Sequence, residues 1–101
     1  MTHQEKIERF AATVTAQQRE TLGKAYPTIF ASQPAYADAS VVPGKKYTKV
    51  DVGSSGKFMI DSGGTIFGVK AYGVVHRGHV YGTLDTIDAY FWGGYSPVLL
   101  P

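Results

Sequence analysis

Apolar residues in the first 25 positions repeat at the spacing of a helix. They occupy one helical face at i, i+3, i+4 and i+7: Ile7, Phe10, Ala11 and Val14. Thr2 and Glu5 stand at the two positions of a capping box, which predicts the start of this helix. Three β-branched or short residues at 13–15 weaken it locally, so one kinked helix or two short ones ending near Gly23 both fit. Pro27 ends the region.

Residues 26–44 contain three prolines and many small side chains, which predicts an irregular connection that can include a turn of helix. From Lys45 onward the pattern alternates every second residue, as in a strand. The sequence DSGG, residues 61–64, is typical of a hairpin turn. Pairing Ile60 with Thr65 across this turn would place Phe58 opposite Phe67.

A second hairpin is predicted with its turn at Arg77-Gly78, which makes His76 and His79 a cross-strand pair. One face then carries Lys70, Tyr72, Val74, His76, His79 and Tyr81. The other face is small and apolar, and carries Val69, Ala71, Gly73, Val75, Val80, Gly82 and Leu84. We expect the apolar face to lie under the helix. Arg-Gly is a weaker turn signal than Asn-Gly, and a slip of one residue would exchange the two faces.

These elements predict an α+β fold with an N-terminal helical segment packed on an antiparallel sheet of about three to five strands. We expect one domain, 1–101, that is helical over 1–25, irregular over 26–44 and mainly β over 45–101. The predicted core is Ile7, Phe10, Val14, Val50, Val52, Phe58, Ile60, Phe67, Val69, Val75, Val80 and Leu84. Residues 84–101 are expected to begin with a short helical turn at Asp85 or Thr86, continue as an extended segment, and pack on the same molecule or on a second copy.

Composition narrows the class of protein. The chain has 101 residues, 44% of them hydrophobic and 18% charged, which is typical of a folded domain. It has no cysteine, which excludes disulfides and thiolate metal sites. Its apolar runs are too short to span a bilayer, and the first ten residues lack the apolar region of a signal peptide. We therefore expect a cytoplasmic protein without a membrane partner.

Positive charge is concentrated in the middle of the chain. Residues 1–42 sum to zero, residues 43–82 carry a net +4, and residues 83–101 carry −2. Cations spaced along a sheet neutralise phosphates and exposed rings stack on bases, so this pattern indicates a surface for single-stranded nucleic acid or RNA. The candidate residues are Lys45, Lys46, Tyr47, Lys49, Lys57, Lys70, Tyr72, His76, Arg77, His79 and Tyr81. The competing interpretation is that these lysines keep an open sheet face soluble.

The two histidines of the second hairpin allow other interpretations. As an acid–base pair, His76 and His79 would cleave a phosphodiester with Lys70 or Arg77 stabilising the transition state. As metal ligands they would need a third and fourth donor, such as Asp85, Asp88 or His3, and match no known spacing. Surface residues or partner contacts are the simplest interpretation. We predict no catalytic residue, metal or cofactor.

The sequence GSSGK, residues 53–57, superficially resembles a phosphate-binding loop. Asp51 stands where the first glycine of that motif belongs, and Phe58 follows the lysine where serine or threonine should hold magnesium. We interpret the segment as a plain loop.

The C-terminal region suggests a protein partner as the alternative function. Aromatic and leucine side chains cluster there and could anchor an interface: Tyr90, Trp92, Tyr95, Leu99 and Leu100. Trp92 also fits a role in closing the core.

Residues 66–86, IFGVKAYGVVHRGHVYGTLDT, resemble segments of short uncharacterised bacteriophage proteins. The resemblance covers about a fifth of the chain and implies no particular activity. It implies a small binding module that coats nucleic acid, assembles into particles, or blocks a host enzyme or defence complex. The sequence thus predicts a non-enzymatic nucleic-acid-binding protein, with protein–protein interaction as the alternative and a histidine-dependent nuclease a distant third.

Overall fold

In the computed structural model, residues 2–32, 37–53, 55–71, 74–94 and 97–100 are described. The chain has an α+β fold, as predicted: an N-terminal helix packs on an antiparallel sheet. The helices are α1 (His3–Ala25) and α2 (Pro27–Ser32). The strands are β1 (Ala39–Val42), β2 (Thr48–Val52), β3 (Ser55–Ile60), β4 (Thr65–Ala71), β5 (Val74–Thr83), β6 (Tyr90–Phe91) and β7 (Val98–Leu99).

The helix α1 is continuous over 23 residues, which resolves the choice between one helix and two. Its capping box is confirmed: the Thr2 hydroxyl accepts from the Glu5 N–H at 3.1 Å, and the Glu5 carboxylate accepts from the Thr2 N–H at 3.0 Å. These hydrogen bonds hold the pKa of Glu5 below its ordinary value. The predicted apolar stripe is the buried face of the helix.

Among the described strands, β1 to β5 form one antiparallel sheet in sequence order, with β1 and β5 at its edges. The strand β1 lies inside the segment predicted to be irregular, because its four residues ASVV are too few to show an alternating pattern. The strands β6 and β7 pair with each other, opposing Tyr90 to Leu99 and Phe91 to Val98. The end of the chain therefore folds back on its own molecule, after a 3-10 turn at Ile87–Ala89.

The predicted pairing of β3 with β4 is wrong by one residue. Ile60 lies opposite Ile66, and Met59, rather than Phe58, lies opposite Phe67. The Asp61 carboxylate accepts hydrogen bonds from the N–H groups of Gly63 and Thr65, at 3.0 and 2.9 Å, and this side-chain-closed turn shifts the register. A shift of one residue sends Phe67 to the face opposite Phe58.

The predicted hairpin turn at Arg77-Gly78 is also wrong. Those two residues lie within β5. In the pairing of β4 with β5, Val69 lies opposite Val75 and Gly68 opposite His76, but the next pair is Phe67 with Val80. Three residues, 77–79, thus have no pairing partner in β4 and form a bulge in β5. The strand β4 ends at Ala71 and β5 begins at Val74, and the residues between them lie outside the described residues.

The core lies between α1 and the sheet. Its buried residues are Ile7, Phe10, Ala11, Val14, Val50, Val52, Phe58, Ile60, Ile66, Leu84, Ile87 and Trp92. Three predicted core residues differ: Val80 is 48% exposed, and Val69 and Val75 are half-buried. All three follow from the shifted register of β3 and β4: Val69 lies on the Phe67 side of β4, and the pairing with β4 places Val75 and Val80 on that same face. Burial of Ile66 and Ile87 was not predicted.

Candidate functional site

The predicted Lys/Tyr/His face is divided between the two faces of the sheet. Ile66 belongs to the core under α1, whereas Phe67 is buried outside that core and its ring meets Tyr47 at 6.1 Å between centroids. On the helix side, the Tyr81 ring contacts Phe58 and Trp92 at 6.1 and 6.4 Å. The predicted platform therefore does not exist as one surface, because the register shift between β3 and β4 turns the β4–β5 pair over relative to β2.

The face turned away from α1 carries a tyrosine flanked by two cations. The Lys46 ammonium lies 5.7 Å from the centre of the Tyr47 ring, and the Arg77 guanidinium lies 5.8 Å from it. These distances fit cation–π contacts. Lys49 pairs with Met59 on β3, and Lys45 lies in the exposed turn before β2. We call Lys46, Tyr47 and Arg77 the tyrosine cluster.

The face turned toward α1 carries a cleft beyond the end of the core. It encloses about 380 Å³ between β3, β4 and β5, and its lining residues include Lys57, Phe58, Gly68, His79, Tyr81 and Pro97. Lys57 is the extra residue of a bulge in β3, since Val50 pairs with Phe58 and Asp51 with Gly56. We call this depression, with the adjoining His76 and Lys70, the histidine cleft.

The bulge in β5 brings the two histidines together. The centres of the His76 and His79 rings are 4.0 Å apart, inclined at 60°. Tyr81 Oη lies 3.5 Å from His79 Nδ1. Sequence reasoning thus identified the pair correctly although it placed the turn wrongly, because a bulge of three residues and a tight turn both return the chain toward itself.

Burial and nearby positive charge shift the pKa values of three side chains in the histidine cleft. Desolvation, then the charges of His79 and Lys70, lower the pKa of His76. Desolvation lowers the pKa of Lys57 and raises that of Tyr81. A negative charge placed beside His76 would oppose the effect of His79 and Lys70 on it.

This geometry does not suit two alternative chemistries. An acid–base pair that cleaves a phosphodiester must flank the phosphorus, but rings 4.0 Å apart leave no space for a phosphate between them. A metal site needs further donors, and the described part of the chain brings together no group of three histidine, aspartate or glutamate side chains that could hold an ion.

Charges on α1 are paired, unlike several on the sheet. Each basic residue of α1 contacts a carboxylate: Lys6 with Asp85 at 2.8 Å, Arg9 with Asp88 at 2.9 Å, Arg19 with Asp38 at 2.7 Å and Lys24 with Glu20 at 2.9 Å. Within the described residues, no carboxylate oxygen lies within 4 Å of the terminal nitrogens of Lys45, Lys46, Lys70 or Arg77.

The C-terminal candidates occupy different environments. Trp92 is 1% exposed and lies in the core, where its indole N–H donates to the Ile87 carbonyl at 2.9 Å. Tyr90 is half-buried against Trp92. Leu99 and Leu100 are 63% and 49% exposed. The predictions for Tyr72 and Tyr95 fall outside the described residues.

Gly68, which lines the cleft, was not among the predicted site residues. A Cβ atom there would lie 3.1 Å from His79 Cβ and 3.3 Å from the Tyr81 ring, so a side chain would crowd both walls. A glycine inside a strand pattern marks such a close approach, and this was the available signal. Pro97 was missed for a different reason: its position depends on the pairing of β6 with β7.

In the described residues, none of the helices has the length and apolar character needed to cross a membrane. Comparison with protein-family models, with curated proteins and with solved structures gave no match to this chain.

Proposed function

We propose that the protein binds single-stranded DNA or RNA along the β5 edge of its sheet, mainly through the phosphate backbone. The observation that carries this proposal is the contrast in charge pairing. The basic residues of α1 each contact a carboxylate, whereas among the described residues Lys46, Lys70 and Arg77 have no carboxylate within 4 Å. Unneutralised cations along an exposed edge are what a phosphate backbone requires.

The β5 edge supports this proposal by its position between the two clusters. Arg77 reaches the tyrosine cluster on one face, while His76 and His79 line the cleft on the other. A strand crossing this edge would meet cations from both faces. The histidine cleft is also lined without any carboxylate among the described residues.

Base stacking contributes less than the sequence suggested. The Tyr47 ring already has Lys46 and Arg77 beside it, and Tyr81 is half-buried against the core. Phosphate contacts then dominate the affinity, which makes binding strongly dependent on salt and weakly dependent on base sequence.

Fluorescence anisotropy with labelled twelve-nucleotide oligo-dT and oligo-U strands tests the proposal. Four phosphate contacts would give a slope of about −3 in log affinity against log salt, so affinity should fall by about a thousandfold between 20 and 200 mM salt. Lys46→Gln and Arg77→Gln should each reduce the slope by about 0.7. Lys24→Gln removes the same charge from α1 and is the matched control, expected to change little. Absence of binding at 20 mM salt would contradict the proposal.

Self-association is the second candidate, and the exposed apolar end of the chain favours it. Val98, Leu99 and Leu100 are each about half exposed or more, beside the half-exposed Phe91. The short pairing of β6 with β7 leaves a strand edge that a second copy could extend, since the same segment can serve both partners of a two-fold dimer.

We expect sedimentation velocity to detect this dimer as a species that grows with protein concentration. Leu99→Glu should make the protein monomeric at all concentrations, because the charge would be buried unpaired in the interface. Ala89→Glu changes an exposed residue of the neighbouring 3-10 turn and is the control for added charge. A wild-type protein that stays monomeric up to millimolar concentration rules the dimer out.

The resemblance of residues 66–86 to short bacteriophage proteins is compatible with either candidate. Coating of nucleic acid would use the β5 edge. Assembly, or blocking of a host enzyme or defence complex, would use the C-terminal apolar residues.

A further inference from the structure

The histidine cleft is built from cationic and polar groups that converge from three strands. Lys57 of β3 and His79 and Tyr81 of β5 line it, and Lys70 of β4 and His76 of β5 adjoin it. Among the described residues that line it, no carboxylate is present. The volume, about 380 Å³, exceeds the needs of a single phosphate and leaves space for part of the attached sugars.

The shape of the cleft depends on the absence of a side chain at Gly68. His79 Cβ and the Tyr81 ring stand so close to this position that a Cβ atom would touch both, at 3.1 and 3.3 Å. The depression is thus open only because β4 has a glycine opposite His76. The floor of the cleft is the β4 backbone, and a ligand can come close to it because residue 68 has no side chain.

The His76–His79 contact places two titratable rings 4.0 Å apart at the mouth of this cleft. Two imidazolium cations at this distance repel each other, and Lys70 adds to the repulsion on His76. An anion seated between the rings and the lysines would offset that repulsion. Binding the anion and binding a proton would then favour each other.

We propose that the histidine cleft binds one phosphodiester group of the nucleic-acid strand, and that the His76–His79 pair takes up a proton when the group binds. The inference rests on the proposed function and deepens it by assigning the protein a pH-sensitive subsite. The diester carries one negative charge, which Lys70 attracts at all pH values and the protonated pair attracts more strongly below neutrality.

The dinucleotide thymidylyl-thymidine is a suitable probe, because its single diester charge does not change between pH 5.5 and 7.5. NMR titration followed on the histidine Cε1–H signals measures its affinity. We expect the affinity to rise by about tenfold as the pH falls from 7.5 to 5.5, consistent with uptake of one proton over part of this range. Thymidine, which lacks the phosphate, should show no such dependence.

Substitutions test whether the two histidines, and not the nearby lysines, cause the pH dependence of the affinity. The double variant His76→Gln/His79→Gln should leave an affinity that varies less than about twofold over the same pH range, and each single variant should change the pH dependence from that of wild type. His3→Gln, which changes the histidine at the start of α1 outside the cleft, should behave as wild type. Lys70→Gln should keep the pH dependence but move its midpoint to higher pH, because the charge of Lys70 no longer opposes protonation of His76.

The proposal is overturned if both histidine variants keep the wild-type pH dependence, if His3→Gln abolishes it, or if the dinucleotide fails to shift the His76 and His79 signals at pH 5.5. Binding of the twelve-nucleotide strands at pH 8, measured separately, reports on the proposed function. Loss of that binding refutes the function, whereas its persistence with no pH effect refutes the subsite alone.

Discussion

At the scale of single residues, the bulge in β5 explains how neighbouring side chains serve different faces. His76 and His79 meet at 4.0 Å beside the cleft, while Arg77, between them in the chain, reaches Tyr47 on the opposite face. A regular strand would send His76 and Gly78 to one face and Arg77 and His79 to the other. The three residues that have no pairing partner in β4 remove this constraint, so both histidines can share the cleft.

Protonation of His76 should therefore lower the stability of the fold. Its pKa in the folded protein lies below the ordinary value of 6.5, so the unfolded chain takes up the proton first. The free energy of unfolding is then unaffected well above pH 6.5 and decreases as the pH falls through 6.5 toward the folded-state pKa. In urea denaturation between pH 7.5 and 5, His76→Gln should lose less stability than wild type. A variant with the wild-type slope, or an equal effect of His3→Gln, would contradict this.

At the scale of elements, the sequence is informative where local chemistry decides the structure. The capping box at Thr2 and the apolar stripe from Ile7 to Val14 predicted α1 correctly, because both depend on residues within one or two turns. Strand register depends on contacts between distant residues. The turn closed by the Asp61 side chain shifted β4 by one residue, and each such shift inverts a face.

The candidate site was predicted in part for the same reason. The pairing of His76 with His79 is local and was predicted, although its cause is a bulge and not a turn. The division of the cations between two faces depends on the registers of β3, β4 and β5, which no local pattern specifies. Burial of Trp92 depends on Gln17 and Gln18, some 75 residues away in the chain, whose amides bond its backbone N–H and carbonyl.

The packing of α1 against the C-terminal segment depends on Gly93. A Cβ atom there would lie 2.6 Å from the Phe91 ring and 2.7 Å from the Gln17 carbonyl, closer than packed atoms allow. Gly93→Ala should therefore cost about 1–3 kcal/mol of unfolding free energy, the range for forced overpacking. Urea denaturation followed by Trp92 fluorescence measures it.

Gly63→Ala is the matched control for Gly93→Ala. The nearest atom to a Cβ at residue 63 is Asp61 Oδ1 at 3.5 Å, which is an ordinary contact distance. Its cost should stay within about 0.5 kcal/mol. Equal stability of Gly93→Ala and wild type would show that α1 and the C-terminal segment do not pack as described.

At the scale of the whole molecule, charge is arranged by layer. The acidic residues near the end of the chain, Asp85 and Asp88, neutralise Lys6 and Arg9 on α1. The net +4 of residues 43–82 stays with the sheet. A polyanion should therefore approach the sheet and its β5 edge, and not the helical layer, since net positive charge steers such encounters.

The most direct test of this account is to map bound oligo-dT by amide chemical-shift changes in ¹⁵N-labelled protein at 20 mM salt. We predict that the shifted amides concentrate in residues 45–49, in β4 and in β5, and that they diminish together as salt is raised to 200 mM. Shifts centred on α1 or on Val98–Leu100, or no shifts at 20 mM salt, would contradict a phosphate-binding edge at β5.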